Sequence, residues 1–171
     1  MIAAGAAFHR PHPKNPALRV EREALQLALQ HPDLVVAGYP HVSDEAYTDT
    51  TYAAVHQAIA AAGGPPGDGS KAAWVDTVAA QLPSGGFRSL VTELAVEPPP
   101  VPPDAVNARY AGAILARMAE RVAAAEERNL RSAMQRAEAS GDSELVLRLH
   151  ADLVAVANYR RALADRARGD S

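Results

Sequence analysis

The chain has 171 residues, 48% of them apolar but only 5% aromatic, and a formal net charge of −3 with acids and bases interleaved. This length suits one domain, or one small domain with an appendage. The alanine-rich, aromatic-poor composition favours helix-on-helix packing over a sheet sandwich, and the charge balance gives little basis for non-specific nucleic-acid binding, which runs on phosphate neutralisation. Cysteine is absent, which excludes disulfides, a thiol nucleophile and cysteine-based zinc sites.

Residues 1–17 read as a linker: Pro11, Pro13 and Pro16 lie among His, Lys, Arg and Asn without helical or strand period. The apolar stretch Ile2–Phe8 has no basic residue before it and is too short for a signal peptide or a membrane span. His9 and His12 have no carboxylate or thiolate at metal-ligand spacing and read as tail.

A first helix is expected over Leu18–Gln30, with Val20, Ala24, Leu25, Leu27 and Ala28 inward and Glu21 and Glu23 at the positive end of its dipole. Pro32 stops it, and Asp33–Val42 forms an apolar connector that packs inside. A turn at Ser43-Asp44-Glu45 carries Tyr47. A helix over Thr50–Ala62 follows, presenting Tyr52, Val55, Ile59 and Ala62 on one face. The glycine-rich run Gly63–Gly69 lacks the Gly-Lys-Ser/Thr ending and the preceding strand of a phosphate loop, so it reads as a connection. Ser70 is placed to cap a helix through Gln81 anchored by Trp74. Gly85-Gly86 separates that helix from Phe87–Val96, whose inward residues are Leu90, Val91 and Leu94. The segment Glu97–Pro103 is a stiff extended spacer.

From Asp104, the expected cap, to Arg168 the chain is helix former with one break, at Ala139–Ser143. Runs of roughly 35 and 25 residues imply helices ~50 Å and ~40 Å long, longer than a small body covers. The first run is broadly apolar through Val122, then narrows after Ala125 to Leu130, Met134 and Ala137, which marks a helix leaving the body. The second carries a seam of Leu145, Leu149, Leu153, Val156, Tyr159 and Leu163, the spacing of antiparallel helix pairing. The expected architecture is therefore all-α: a small globular helical bundle, then a long helix and a C-terminal antiparallel helical hairpin. Its parts are a linker (1–17), a globular subdomain (18–122), a hairpin arm (123–168) and a tail (169–171).

No constellation for catalysis emerges. The histidines at 9, 12, 31, 41, 56 and 150 are scattered, and there is no His-Glu-x-x-His pair, nucleophile elbow or carboxylate cluster for magnesium, so neither a metal nor another cofactor is expected.

The order of these pieces resembles the C-terminal helicase-binding domain of bacterial replicative DNA primase, in its actinobacterial form. The residues that carry the likeness are Glu21-Arg22-Glu23-Ala24-Leu25, Leu29-Gln30-His31-Pro32, Tyr47-Thr48, Tyr52-Ala53-Ala54-Val55, Trp74 and Leu90–Glu97. In the long helices they are Tyr110, Ile114–Arg117, Arg131-Ser132, Gln135-Arg136, Asp152-Leu153-Val154 and Tyr159–Leu163. The match runs over roughly residues 16 to 168 and rests on order and spacing rather than on any one string. The resemblance implies a globular helical part joined through one long helix to a hairpin, and a cytoplasmic role: tethering primase to the N-terminal region of the hexameric replicative helicase. Some relatives also bind the tail of single-stranded DNA-binding protein; here the basic residues show no cluster for it. Zinc-binding and polymerase domains have no counterpart in this sequence, so the chain is expected to be an excised, non-catalytic domain of a longer enzyme.

Leu147 and the line Val146, His150, Val154, Ala157 fall off the hairpin seam; they either pack on the body or form an exposed apolar patch. The expected partner interface takes Leu147, Val154 and Ala157 with Arg160, Arg161 and Arg166, chosen from exposure geometry and not from the family. The alternative is a helical nucleic-acid-binding module in which Arg121, Arg128, Arg131 and Arg136 track phosphates, against which stand Glu120, Glu126, Glu127 and Glu138 on the same stretch. A small enzyme is a third reading, requiring a pocket with convergent polar groups.

Overall fold

The computed structural model describes residues 7–68, 70–83 and 85–168. The start of the expected linker (1–6), the tail (169–171) and Gly69 of the glycine-rich run lie outside them. Seven α-helices and no strand occur among the described residues: α1 (Arg19–Gln30), α2 (Pro32–Val35), α3 (Thr50–Ala61), α4 (Lys71–Ala80), α5 (Gly85–Val96), α6 (Ala108–Ser140) and α7 (Ser143–Arg168). The all-α class and the bundle-plus-hairpin plan expected from the sequence are both present. None of these helices is long and apolar enough to cross a membrane.

Helix α1 is the axis of the body. Residues Glu21–Leu29 are all buried, because α3, α4, α5 and α6 surround the helix. Leu25, Leu27, Leu29, Tyr52, Ile59, Phe87, Leu90, Leu94, Ile114 and Met118 fill the core between them. Trp74 of α4 is anchored at both ends of its chemistry: its ring is buried and its Nε1 donates to the Ala28 carbonyl at 2.9 Å. Pro32 does end α1, and it also opens α2, where a missing N–H costs nothing.

Residues 7–17 lie along this body. Phe8 meets Phe87 edge-on with ring centroids 5.2 Å apart, Pro11 is buried, and Arg10 pairs with Glu93. His9 reaches Asp49 at 2.7 Å and Thr51 at 3.0 Å. Gly85 and Gly86 are not a separator but the first turn of α5. A Cβ on Gly86 would stand 2.6 Å from Phe8 Cδ1, so the glycine makes room for the Phe8 ring.

Three helix starts differ from the sequence expectation in instructive ways. The cap of α6 is Asn107, whose Oδ1 accepts from the Tyr110 N–H at 3.1 Å; Asp104 sits in a preceding 3₁₀ turn instead. Ser70 stands at the start of α4, but its hydroxyl donates to Asp68 at 2.8 Å rather than capping the helix. The first helix begins at Arg19 because Pro16–Leu18 form a 3₁₀ turn capped by Asn15.

Helix α6 has 33 residues and α7 has 26. Gly141 turns the chain between them in a left-handed conformation (φ +72°), with its own N–H and that of Asp142 closing onto the Glu138 and Ala137 carbonyls. Asp142 Oδ1 then caps α7 through the Leu145 N–H at 3.0 Å. The N-terminal part of α6 lies in the body through Ala111, Ile114 and Met118. Leu163 of α7 returns to pack on Ala116 and Ala123 in a second, smaller cluster.

Candidate docking surface

The antiparallel pair α6–α7 is held by a seam in which α7 contributes Leu145, Leu149, Leu153, Val156, Arg160, Leu163 and Ala167, all partly or fully buried. From Leu149 onward the spacing alternates 4, 3, 4, 3, 4, the period of coiled-coil-like pairing. The sequence reading gave the position after Val156 to Tyr159. The structure gives it to Arg160 and leaves Tyr159 50% exposed. The reason is register: the alternation requires a step of four there, and apolarity alone selected the neighbour. Arg160 fits the seam because α6 supplies two carboxylates. It donates to Glu120 at 2.6 Å and to Glu127 at 2.5 Å, while Glu127 also accepts from Arg131 at 2.6 Å. Hydrogen bonds from Arg160, then from Arg131, hold the Glu127 carboxyl below the usual carboxylate range.

The other five candidate interface residues are exposed. Leu147 is 72% exposed and Val154 49%; Ala157, Arg161 and Arg166 are exposed too. With His150, the first four form a second stripe, Leu147–His150–Val154–Ala157–Arg161, spaced 3, 4, 3, 4. It lies about 120° around α7 from the inner seam at 100° per residue. The body does not cover it. Arg166 lies on the opposite flank of α7, near Tyr159. At the tip, Ala137, Glu138, Gly141, Ser143, Val146 and Leu147 line a shallow groove. Residues 137–147 contain Glu138, Asp142 and Glu144 and no Lys or Arg.

Two buried polar clusters in the body were not foreseen, since Glu21 and Glu23 read as dipole partners on an exposed first turn. Glu21 is fully buried. Its carboxylate accepts from the Thr48 hydroxyl (2.6 Å), the Thr48 and Asp49 amides, and Arg121 of α6 at 3.0 Å. Arg22 donates to Tyr52 at 2.9 Å and to Glu93 and Glu97 of α5; burial works against its charge, and these partners outweigh burial and raise its pKa. Glu23 accepts from the Tyr110 hydroxyl at 2.7 Å. Three consecutive side chains thereby tie α1 to the turn before α3, to α5 and to α6. In the second cluster, His56 Nδ1 lies 3.0 Å from the Tyr39 hydroxyl and Nε2 3.2 Å from Asp44, and the Tyr47 ring stacks on the imidazole.

Among the described residues, no buried side-chain nitrogen or oxygen lacks a partner, and no three His, Cys, Asp or Glu residues are grouped to hold a metal. These clusters bind elements together. Of the arginines in the nucleic-acid alternative, Arg121 is spent on Glu21 and Arg131 on Glu127.

The model of the family described as DNA primase DnaG DnaB-binding matches residues 21–149. The chain belongs to this family. It is 36% identical over 161 residues to the DNA primase of Mycolicibacterium smegmatis, and 37% identical over the same length to that of Mycobacterium tuberculosis; each alignment covers 94% of this chain and 25% of the relative. The chain thus spans about a quarter of the length of the curated relatives it matches. A solved structure titled as the helicase binding domain of primase from Mycobacterium tuberculosis superposes with a TM-score of 0.75 at 37% identity, over 90% of this chain and 94% of that one. For this member of the DnaB-binding family, the residue that sequence reasoning missed on the arm is Tyr159. The signal that finds it is the strict three-four alternation, which assigns the seam to residue 160 and frees residue 159.

Proposed function

We propose that the chain is a non-catalytic docking domain of a cytoplasmic DNA primase, and that its arm binds the N-terminal region of the hexameric replicative helicase so that primers are laid at the fork. The single observation that carries this reading is the uncovered apolar stripe on α7, led by Leu147 at 72% exposure, on an arm that stands outside the body's core. Contiguous exposed apolar patches mark interaction surfaces. Family membership supports the choice of partner, and the solved relative titled as a helicase binding domain shares the overall fold. The division into a body (18–122) and an arm (123–168) is, on this reading, a functional one.

Calorimetric titration of the chain into the replicative helicase of the same organism tests it. The wild-type chain binds, and Leu147→Asp weakens binding while leaving the helical circular dichroism and the melting transition in place. An equal affinity for the variant removes Leu147 from the interface, and no binding by the wild-type chain removes the helicase.

A further inference from the structure

We infer that Arg121 is a positioning residue that sets the direction in which the arm leaves the body, as a lock at the root of α6. The root is a short stretch of helix: Val122 still packs against the core of the body, and Ala123 already belongs to the smaller cluster with Leu163. At this level two neighbouring side chains of α6 reach in different directions. Glu120 accepts from Arg160 at 2.6 Å and so fastens α7, while Arg121 turns to the body. Its Nη1 donates to Glu21 at 3.0 Å and its Nη2 to the Ala17 carbonyl at 2.7 Å. The returning helix and the body are thus fastened to α6 at one turn, and a tilt of the helical pair against the body has to bend or break the Arg121 fork.

The other contacts of α6 near the root are apolar: Leu115, Met118 and Val122 meet the core, and apolar contact has no preferred direction. A guanidinium that presents two N–H groups in one plane accepts only a narrow range of geometry. Both acceptors are fixed in turn. Glu21 is fully buried and is held by the Thr48 hydroxyl at 2.6 Å and by the Thr48 and Asp49 amides. Asp49 caps α3 through the Thr51 and Tyr52 amides, and Ala17 lies in the 3₁₀ turn that opens onto α1. Helix α6 runs on unbroken from the root to Ser140. That distance is ~30 Å at ~1.5 Å per residue, so a tilt of about 10° at the root would carry the tip about 5 Å. On the docking reading above, such a lock presents the arm at one bearing and leaves less ordering to be done when a partner binds.

The chain has no cysteine, so cysteines introduced in pairs at exposed positions carry the only spin labels. One pair, Ser89→Cys with Ala139→Cys, spans the body and the tip of the arm; a second, Ser132→Cys with Ala155→Cys, spans the two helices within the arm. Pulsed dipolar distances are measured on the full chain with its natural residues at 121 and 128, in Arg121→Met, and in Arg128→Met, which removes an exposed arginine farther along α6. A single narrow body-to-tip distribution is expected with Arg121 in place. Arg121→Met is expected to broaden it, or to shift it by about 5 Å or more, with the within-arm pair unchanged and the helical circular dichroism retained. Arg128→Met is expected to leave both pairs as they were. A broad body-to-tip distribution with Arg121 in place, no change in Arg121→Met, an equal change in Arg128→Met, or an equal change within the arm overturns the inference. Should Arg121→Met fail to fold, Arg121→Lys decides, since it keeps the charge beside Glu21 and loses the fork: broadening supports the lock, and an unchanged distribution overturns it. No helicase enters these measurements, so the lock and the docking reading fail independently.

Discussion

Arg160 of α7 and Glu127 of α6 face each other across the arm at 2.5 Å, and the same guanidinium takes Glu120 at 2.6 Å. A charged residue thus occupies one step of a seam otherwise made of Leu, Val and Ala. Because all three side chains are in part open to water, the cluster adds little to stability and more to register: sliding the seam by one turn would strand Arg160 against apolar surface. Arg160→Ala is expected to speed amide exchange in the C-terminal half of α7 while the body keeps its protection. Arg160→Leu is expected to restore that protection, since an apolar residue packs at this position without desolvating a charge. Exchange that is unchanged by the alanine variant would show that Leu163 and its neighbours hold the arm unaided.

Much of this architecture was legible because it is written in period and punctuation. The interruption at Gly141, the narrowing after Ala125 and the leucine row of α7 each follow from side-chain spacing, which does not depend on distant partners. The boundary between Tyr159 and Arg160 was not legible by apolarity, because the seam position is filled by a cation whose two glutamates lie 33 and 40 residues earlier. Glu21 and Glu23 were misread for the same reason: their partners Arg121 and Tyr110 are 100 and 87 residues away, so local sequence presents them as ordinary first-turn acids. The position of the cap, Asn107 rather than Asp104, turned on where a 3₁₀ turn ends, which no residue type specifies.

Glu21 is expected to be the least replaceable polar side chain of the body. Its carboxylate answers two amides, a hydroxyl and a guanidinium from a fully buried position. Glu21→Ala leaves those donors unmet and is expected to cost about 3–5 kcal/mol in urea denaturation. Glu21→Gln keeps one acceptor and the shape, so a smaller loss is expected. Equal losses for both variants would mean that packing, not hydrogen bonding, sets the requirement.

The segment at residues 7–17 is expected to belong to the folding unit. Phe8 fills the space over Gly86 and meets Phe87 edge-on, and Arg10 and His9 add contacts to α5 and to the start of α3. Phe8→Ala is expected to lower stability by about 1–2 kcal/mol, from lost apolar burial and the aromatic pair. Gly86→Ala is expected to displace the ring and mimic that loss. Denaturation midpoints equal to wild type in both variants would return the segment to the status of a linker.

His56 is expected to make the body sensitive to mild acid. Burial lowers its pKa below the ordinary imidazole value, against the smaller opposing pull of Asp44; the groups facing it are Asp44, Tyr39 and Tyr47. A depressed folded-state pKa means that the unfolded chain takes the proton first. The contribution of His56 is therefore complete above about pH 6.5 and declines as pH falls through the folded value, at no more than about 1.4 kcal/mol per pH unit for one proton. His31 shifts in the same direction, through partial burial and Lys71, so the wild-type slope contains both. His56→Gln removes one of them. Urea denaturation of the two proteins between pH 7.5 and 5, values bracketing the ordinary imidazole range, is expected to show a shallower decline for the variant. Parallel curves would place the acid sensitivity elsewhere and leave the Tyr39–His56–Tyr47 stack indifferent to protonation.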